Sequence, residues 1–293
     1  MTEDLFSEQF SFKVPIGPED GNRAFFGTNV LQGLIDGIDD FVHERQPRWE
    51  RRSHRVGAPV LLGCSPWVTD DALLQAIEKL PGACIVVSKW PKKKRETDAF
   101  ARLRALNETT NGIELRALSG LGHKAPKIAG KPMVMGPYDT IDPDLRIPTF
   151  RSIGYRKIKA NVPIAHAKLA LLGNICWTDE DPIGRVTDYI WFSPKRLWVS
   201  SANFTYSSRR SLEHGYWTED ADLMNGVQHF IVSLIGVSED LDAPADTPDP
   251  DLATVEFDDQ AMAEAAAESA HARRETAEIE AERNGEEFEE EDW

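Results

Sequence analysis

The sequence predicts an α/β sandwich, with helices packed on a central mixed, largely parallel sheet, and three observations predict it. From Ala58 onward, short apolar runs alternate with amphipathic stripes of about 10–15 residues, the rhythm of strands joined through crossover helices. From Pro163 to Trp217 the pattern turns to β-branched and aromatic runs, and helical periodicity returns only after Asp220. With 293 residues, 41% of them hydrophobic, the chain can fill one large core or two small ones.

Taken in order, Asn29–Val42 sets Leu31, Leu34, Ile35, Ile38 and Phe41 on one stripe and predicts an amphipathic helix. Arg45, Arg48, Arg51, Arg52 and Arg55 then surround Trp49, either a solvated basic face or a phosphate contact. Ala58–Cys64 predicts a strand. Thr69-Asp70-Asp71 opens a helix with Leu73, Leu74, Ile77 and Leu80 buried, and Pro81-Gly82 stops it. A second strand, Ala83–Val87, leads through Lys89 and Lys92–Arg95 into a helix carrying Phe100, Leu103 and Leu106. Ile113–Leu118 is a third candidate strand, and residues 119–160, rich in Gly and Pro, hold no secure element. Strands are then expected at Ile164–Leu172, Tyr189–Phe192 and Arg196–Ser201, with a break at Glu180–Gly184. A last core helix carries Leu223, Val227, Phe230, Ile231 and Leu234. The expected organisation is an extension over 1–57, a main domain over 58–237, and an acidic linker and partly helical or disordered tail over 238–293.

The net charge of −16 is unevenly spread. Residues 238–293 hold 21 acids against 3 arginines, which leaves residues 1–237 at about +2, so the low pI says nothing against a polyanionic partner for the body. Cys64, Cys84 and Cys176 are odd in number, lack CxxC spacing and sit in apolar stretches. They read as buried thiols in a reducing compartment, the cytoplasm by default. The longest apolar run, Phe230–Val237, is far short of the roughly 20 residues a membrane span needs, and Met1–Phe12 has no signal-like apolar region.

Two segments carry chemistry. In Ile164–Leu171, His166 and Lys168 are two residues apart, so on a strand both project from one face, roughly 6.6 Å apart. In Trp198–Thr205, an apolar run ends in Ser200, Ser201 and Asn203, hydroxyl and carboxamide groups placed where the chain turns. An imidazole, a fixed cation and neutral donors are what a phosphate ester requires.

These segments resemble the phospholipase D superfamily, whose pattern is HxK with Asp four residues later, then GSxN and a downstream Glu. His166-x-Lys168 matches, Ser200-Ser201-Ala202-Asn203 matches with Ser for Gly, and Glu213 stands where the later acid falls. The resemblance spans roughly Ala58 to Val237. It departs at Gly173, in the Asp position, at an insert around Thr178–Arg185, and at Ser211, where the family has Asn. What it implies is metal-independent phosphodiester hydrolysis through a phosphohistidine, without cofactor, by two such motifs facing each other. One motif per chain then requires a homodimer. In that scheme His166 is nucleophile in one protomer and general acid in the other, and Lys168, Ser201 and Asn203 hold the phosphoryl oxygens. Glu213 accepts from the second ring nitrogen of His166.

For substrate, Lys92, Lys93, Arg156 and Lys157 are candidate phosphate contacts, and Tyr155, Trp177, Trp191 and Trp198 could stack on bases or fill the core. The expectation is a nuclease. A lipid or small-molecule phosphodiesterase and a catalytically silent phosphate-binding module are the alternatives. His43, His54, His214, His229 and His271 have no metal-ligand spacing with any Cys.

Overall fold

The computed structural model describes residues 12–15, 23–44, 54–89, 94–142, 144–153, 165–180, 186–243 and 249–284. The chain divides into two compact units, Met1–Gly122 with Pro143–Leu252, and His123–Asp142 with Ala253–Trp293.

The first unit contains β1 (Phe12–Pro15), β2 (Arg23–Gly27), α1 (Leu31–His43), β3 (His54–Ser65), α2 (Asp71–Glu78), β4 (Gly82–Ser88) and α3 (Lys94–Thr109). After it come β5 (Phe150–Ile153), β6 (Leu169–Glu180), β7 (Val186–Ser200), β8 (Glu213–Thr218) and α4 (Ala221–Gly236). Eight strands form one mixed sheet in the order β1-β2-β8-β7-β6-β3-β4-β5. Period-2 alternation splits its side chains cleanly. Leu61, Ala83, Ile85, Val87, Ala170, Leu172 and Trp198 share a core with α1, α2 and α3. Val60, Leu62, Cys64, Cys84, Val86, Leu171 and Leu197 share another with Ile231, Val232 and Ile235 of α4. The result is an α/β architecture with helices on both faces of the sheet.

The expectation of a largely parallel sheet holds only where crossover helices lie between strands. β3 with β4 and β4 with β5 are parallel, and the other five pairings are antiparallel. The reason is that β6 and β7 run as one long hairpin, paired from Leu169↔Val199 to Glu180↔Val186, where shorter separate strands were expected. Residues before 58 also enter the sheet, through β2 against β8. Gly37 lets α1 approach closely, because a Cβ there would lie 2.3 Å from the Trp217 ring. Trp217 in turn packs tilted against the fully buried Trp198, with ring centroids 5.3 Å apart and planes at 55°.

Two local expectations change. Ile113–Leu118 is a strand only over Ile113–Glu114, then a 3₁₀ turn, Leu115–Ala117. The Leu115 amide bonds Leu145 O and the Leu118 amide returns to Leu115 O at 3.1 Å, so both leucines are buried from one side. Within the loop-rich stretch, β5 adds an edge strand whose Arg151 is 2% exposed. Arg151 is carried there by Ser238, whose Oγ accepts from Nε at 2.6 Å, and by an ion pair with Asp251.

In the second unit, Ala125, Met135 and Val255 form a small core, and Glu256–Phe257 pairs in parallel with Val134–Met135. The long helix α5 (Asp259–Asn284) follows, with nearly all its described side chains exposed. Among the described residues, no helix is long and apolar enough to cross a membrane.

Candidate active site

The chemistry-bearing residues collect where β6 begins and β7 ends, beside the carboxyl ends of the parallel strands β3 and β4. Leu169 pairs with both Cys64 and Val199, the Ser200 amide donates to Lys168 O at 3.1 Å, and Ser88 Oγ donates to Ala165 O at 2.9 Å. Carboxyl ends of parallel strands leave a crevice in open α/β sheets, because the next connection departs there.

His166 and Lys168 precede the strand instead of lying on it. Lys168 keeps one ladder bond through its carbonyl, but β7 ends at Ser200, so His166 lies beyond the ladder. Freed from the pleat, the two side chains meet. Lys168 Nζ lies 3.0 Å from Nδ1 and 3.5 Å from Nε2 of an exposed imidazole. Burial pulls the Lys168 ammonium below the ordinary lysine value, and the attraction of Glu213 works the other way.

The Ser-Ser-Ala-Asn turn is tied to β8. Ser200 Oγ donates to His214 O at 2.7 Å and accepts from the Ala202 amide at 3.0 Å, while the Ser201 amide donates to His214 O at 2.9 Å. Ser201 Oγ donates to the Glu213 carboxylate and accepts from the His214 amide at 3.0 Å. Glu213 is therefore bonded to Ser201, and among the described residues the hydrogen-bond partner of the His166 ring is Lys168, in place of the expected Glu213-to-imidazole bond. Ser201 has its one proton committed. Asn203 is different: its Oδ1 is buried and, among the described residues, has no hydrogen-bond partner. An acceptor left open in this way is satisfied by a donor group of a bound molecule.

Gly173 lies within β6 at a register shift between Leu172 and Gly173, and its space is filled. A Cβ there would stand 2.4 Å from Ser193 O and 2.6 Å from two Phe192 ring carbons. No carboxylate fits at that position without displacing β7 backbone.

Sequence reasoning missed the anchors of this loop. Arg209 Nη2 donates to Asp70 Oδ1 at 2.9 Å and Nε to Oδ2, while Nη1 reaches Asn29 Oδ1 and Gln32 Oε1. Burial works to raise the Asp70 carboxyl, but the Arg209 fork and the Leu73 amide outweigh it and hold it below the usual carboxylate range. Ser65 Oγ accepts from the Phe204 amide, and the buried Lys89 pairs with Glu239, fastening the segment after α4 beside Ser88. The only advance signal was Asp70 as helix cap. Nothing local points to Arg209, 139 residues away.

Of the other candidates, Lys92, Lys93, Tyr155, Arg156 and Lys157 lie outside the described residues. Trp198 is core and Trp191 stacks on Tyr189 at 5.6 Å. Trp177 lines a cleft of about 800 Å³ with Ile175, Ile190 and Arg146, at the opposite end of β6 from His166. Burial pushes the Cys64 and Cys84 thiols up to about 12, so both stay protonated. Among the described residues, no group of three or more His, Cys, Asp and Glu is placed to hold a metal ion.

Solved structures similar to this chain include these two. NucT from Helicobacter pylori is 12% identical over 75% of this chain and 98% of its own, with a TM-score of 0.43. A phospholipase D family member, Nuc from Salmonella typhimurium, is 10% identical over 75% of this chain and 97% of its own, with a TM-score of 0.37. No family profile and no curated protein matches the chain.

Proposed function

We propose that the protein is a phosphodiesterase of the phospholipase D type, acting on nucleic acid as a homodimer. The observation that carries this reading is an exposed imidazole in contact with a half-buried ammonium, next to the Ser200–Asn203 turn that the Ser200 amide ties to Lys168 O. His166 attacks phosphorus through a ring nitrogen, forming a P–N bond as the P–O bond to the leaving group breaks. The partner's His166 gives its proton to the departing oxygen. Water then attacks phosphorus, loses a proton to that same imidazole, and the P–N bond breaks. Lys168 holds the phosphoryl oxygens as a point charge, and Asn203 donates through its amide nitrogen. Ser201 acts through Glu213, keeping that carboxylate beside Lys168. Lys92, Lys93, Arg156 and Lys157 are the proposed contacts for flanking phosphates.

The filled space at Gly173 favours a second reading, a silent module that binds phosphate ends without turnover. The test incubates the protein in EDTA with labelled single-stranded DNA, duplex DNA, RNA and phospholipid vesicles, with light scattering for subunit number. The expected result is hydrolysis of a nucleic acid by a species of two chains. Cleavage of vesicles alone replaces the substrate class, binding without cleavage selects the silent module, and full activity in a monomer refutes the composite site.

The same assignment sets a pH dependence. Phosphoryl oxygens need the charged form of Lys168, so the rate falls as pH rises through a value depressed below the ordinary lysine range. Glu213→Gln removes the attraction that favours the ammonium and moves this alkaline limb to lower pH. A pH–rate profile in which the limb stays put counts against Lys168 as the phosphate ligand.

A further inference from the structure

The chain between Asn203 and Glu213 is held rigidly yet keeps an aromatic ring in water. Its base is closed by the Ser201–Glu213 and Ser201–His214 bonds. Inside it, Thr205 Oγ1 lies 3.0 Å from Ser207 Oγ and 3.1 Å from Ser208 Oγ, and Arg209 is locked on Asp70, Asn29 and Gln32. A 3₁₀ turn, Tyr206–Arg210, crosses the top. Tyr206 is 59% exposed, with the Arg210 guanidinium carbon 5.5 Å from its ring centroid. Among the described residues no carboxylate pairs with Arg210, whereas its neighbour Arg209 is fully engaged. The Tyr206 Cα is at most about 11 Å from that of Asn203, three residues along an extended chain.

A loop already anchored by these polar bonds and by the fully buried Phe204 has no folding need for an exposed tyrosine. A planar ring with a cation close by and no acid in attendance matches the pairing by which proteins hold unstacked nucleotides, base on ring and phosphate on arginine. We propose that Tyr206 is the stacking platform, and Arg210 the phosphate contact, for a nucleotide beside the phosphate held at His166, which makes single-stranded nucleic acid the substrate class. In a duplex each base already has both faces covered by its neighbours, so the ring has nothing to stack on. The inference rests on the reading of His166, Lys168 and Asn203 as a phosphodiester site.

The experiment is a binding titration, which needs no turnover. The full-length protein is titrated into a fluorescein-labelled thymidine decamer and into the same backbone lacking bases, in EDTA, across a salt series. Tyr206→Ala is expected to weaken decamer binding roughly 5- to 150-fold, the range for loss of one stacked base, and to leave the abasic strand bound as by the wild type. Tyr206→Phe keeps wild-type affinity. Arg210→Ala lowers the salt slope on the decamer by about 0.7, one phosphate contact on a single strand. Equal affinity of wild type and Tyr206→Ala for the decamer overturns the proposal, as does wild-type binding that ignores the missing bases. Tyr206-dependent binding without any hydrolysis would remove the catalytic reading alone. Hydrolysis with Tyr206-independent binding would remove this one alone.

Discussion

Replacing His166 with alanine lowers turnover of the preferred phosphodiester by about 10⁴-fold or more and leaves the melting temperature near that of the parent. The loss is large because one substitution removes both the nucleophile and, from the other protomer, the general acid, and groups that act as a unit do not leave partial function behind. Stability is spared because the imidazole is exposed and, among the described residues, its hydrogen-bond partner is Lys168 Nζ, and surface changes of this kind fall within about 0.5 kcal/mol. Mixing provides a sharper form of the test. If each site needs an imidazole from both chains, activity after subunit exchange follows the square of the wild-type fraction. A linear dependence means one chain suffices, and residual activity in the alanine homodimer excludes the phosphohistidine route.

Gly173→Asp, which puts a carboxylate at the position where the motif that this chain resembles carries its acid, destabilises the fold by about 3–5 kcal/mol and confers no activity. The new Cβ overlaps Ser193 O and the Phe192 ring, so β7 must shift, and the carboxylate beyond it enters the core that holds Leu171, Phe192 and Leu197. Overpacking alone accounts for about 1–3 kcal/mol, which Gly173→Ala isolates, and burial of the carboxylate supplies the remainder. Urea unfolding of the two variants measures both parts. An aspartate variant as stable as the parent and faster in turnover would instead identify position 173 as a catalytic site emptied by substitution.

How much of this was legible beforehand varies with the distance over which a residue's role is set. The buried faces of β3, β4 and α1 follow from spacing within about a dozen residues, and Asp70 was readable as a cap from the apolar stripe that follows it. His166, Lys168 and the Ser-Asn turn were recognisable as a set, but their geometry was not. The expected strand would have held the two side chains apart along the pleat, and leaving it lets them touch. Ser201 was expected to donate to a phosphate, and its proton belongs to Glu213 because β8 brings that carboxylate back 12 residues later. Asn203 was expected to donate to a phosphate, and the atom left without a partner among the described residues is its acceptor oxygen.

The sequence alone determined which residues face a core, where helices begin, and which polar side chains are chemically suited to a phosphate, since each depends on a local period or on side-chain chemistry. The tertiary structure alone decided that Arg151 could be buried against Asp251, that Arg209 clamps Asp70, that the β6–β7 hairpin makes most of the sheet antiparallel, and that Gly173 has no room for an acid. These features join residues up to 139 positions apart or depend on backbone from a neighbouring strand. No periodicity along the chain encodes them, because they follow from the paths its loops take.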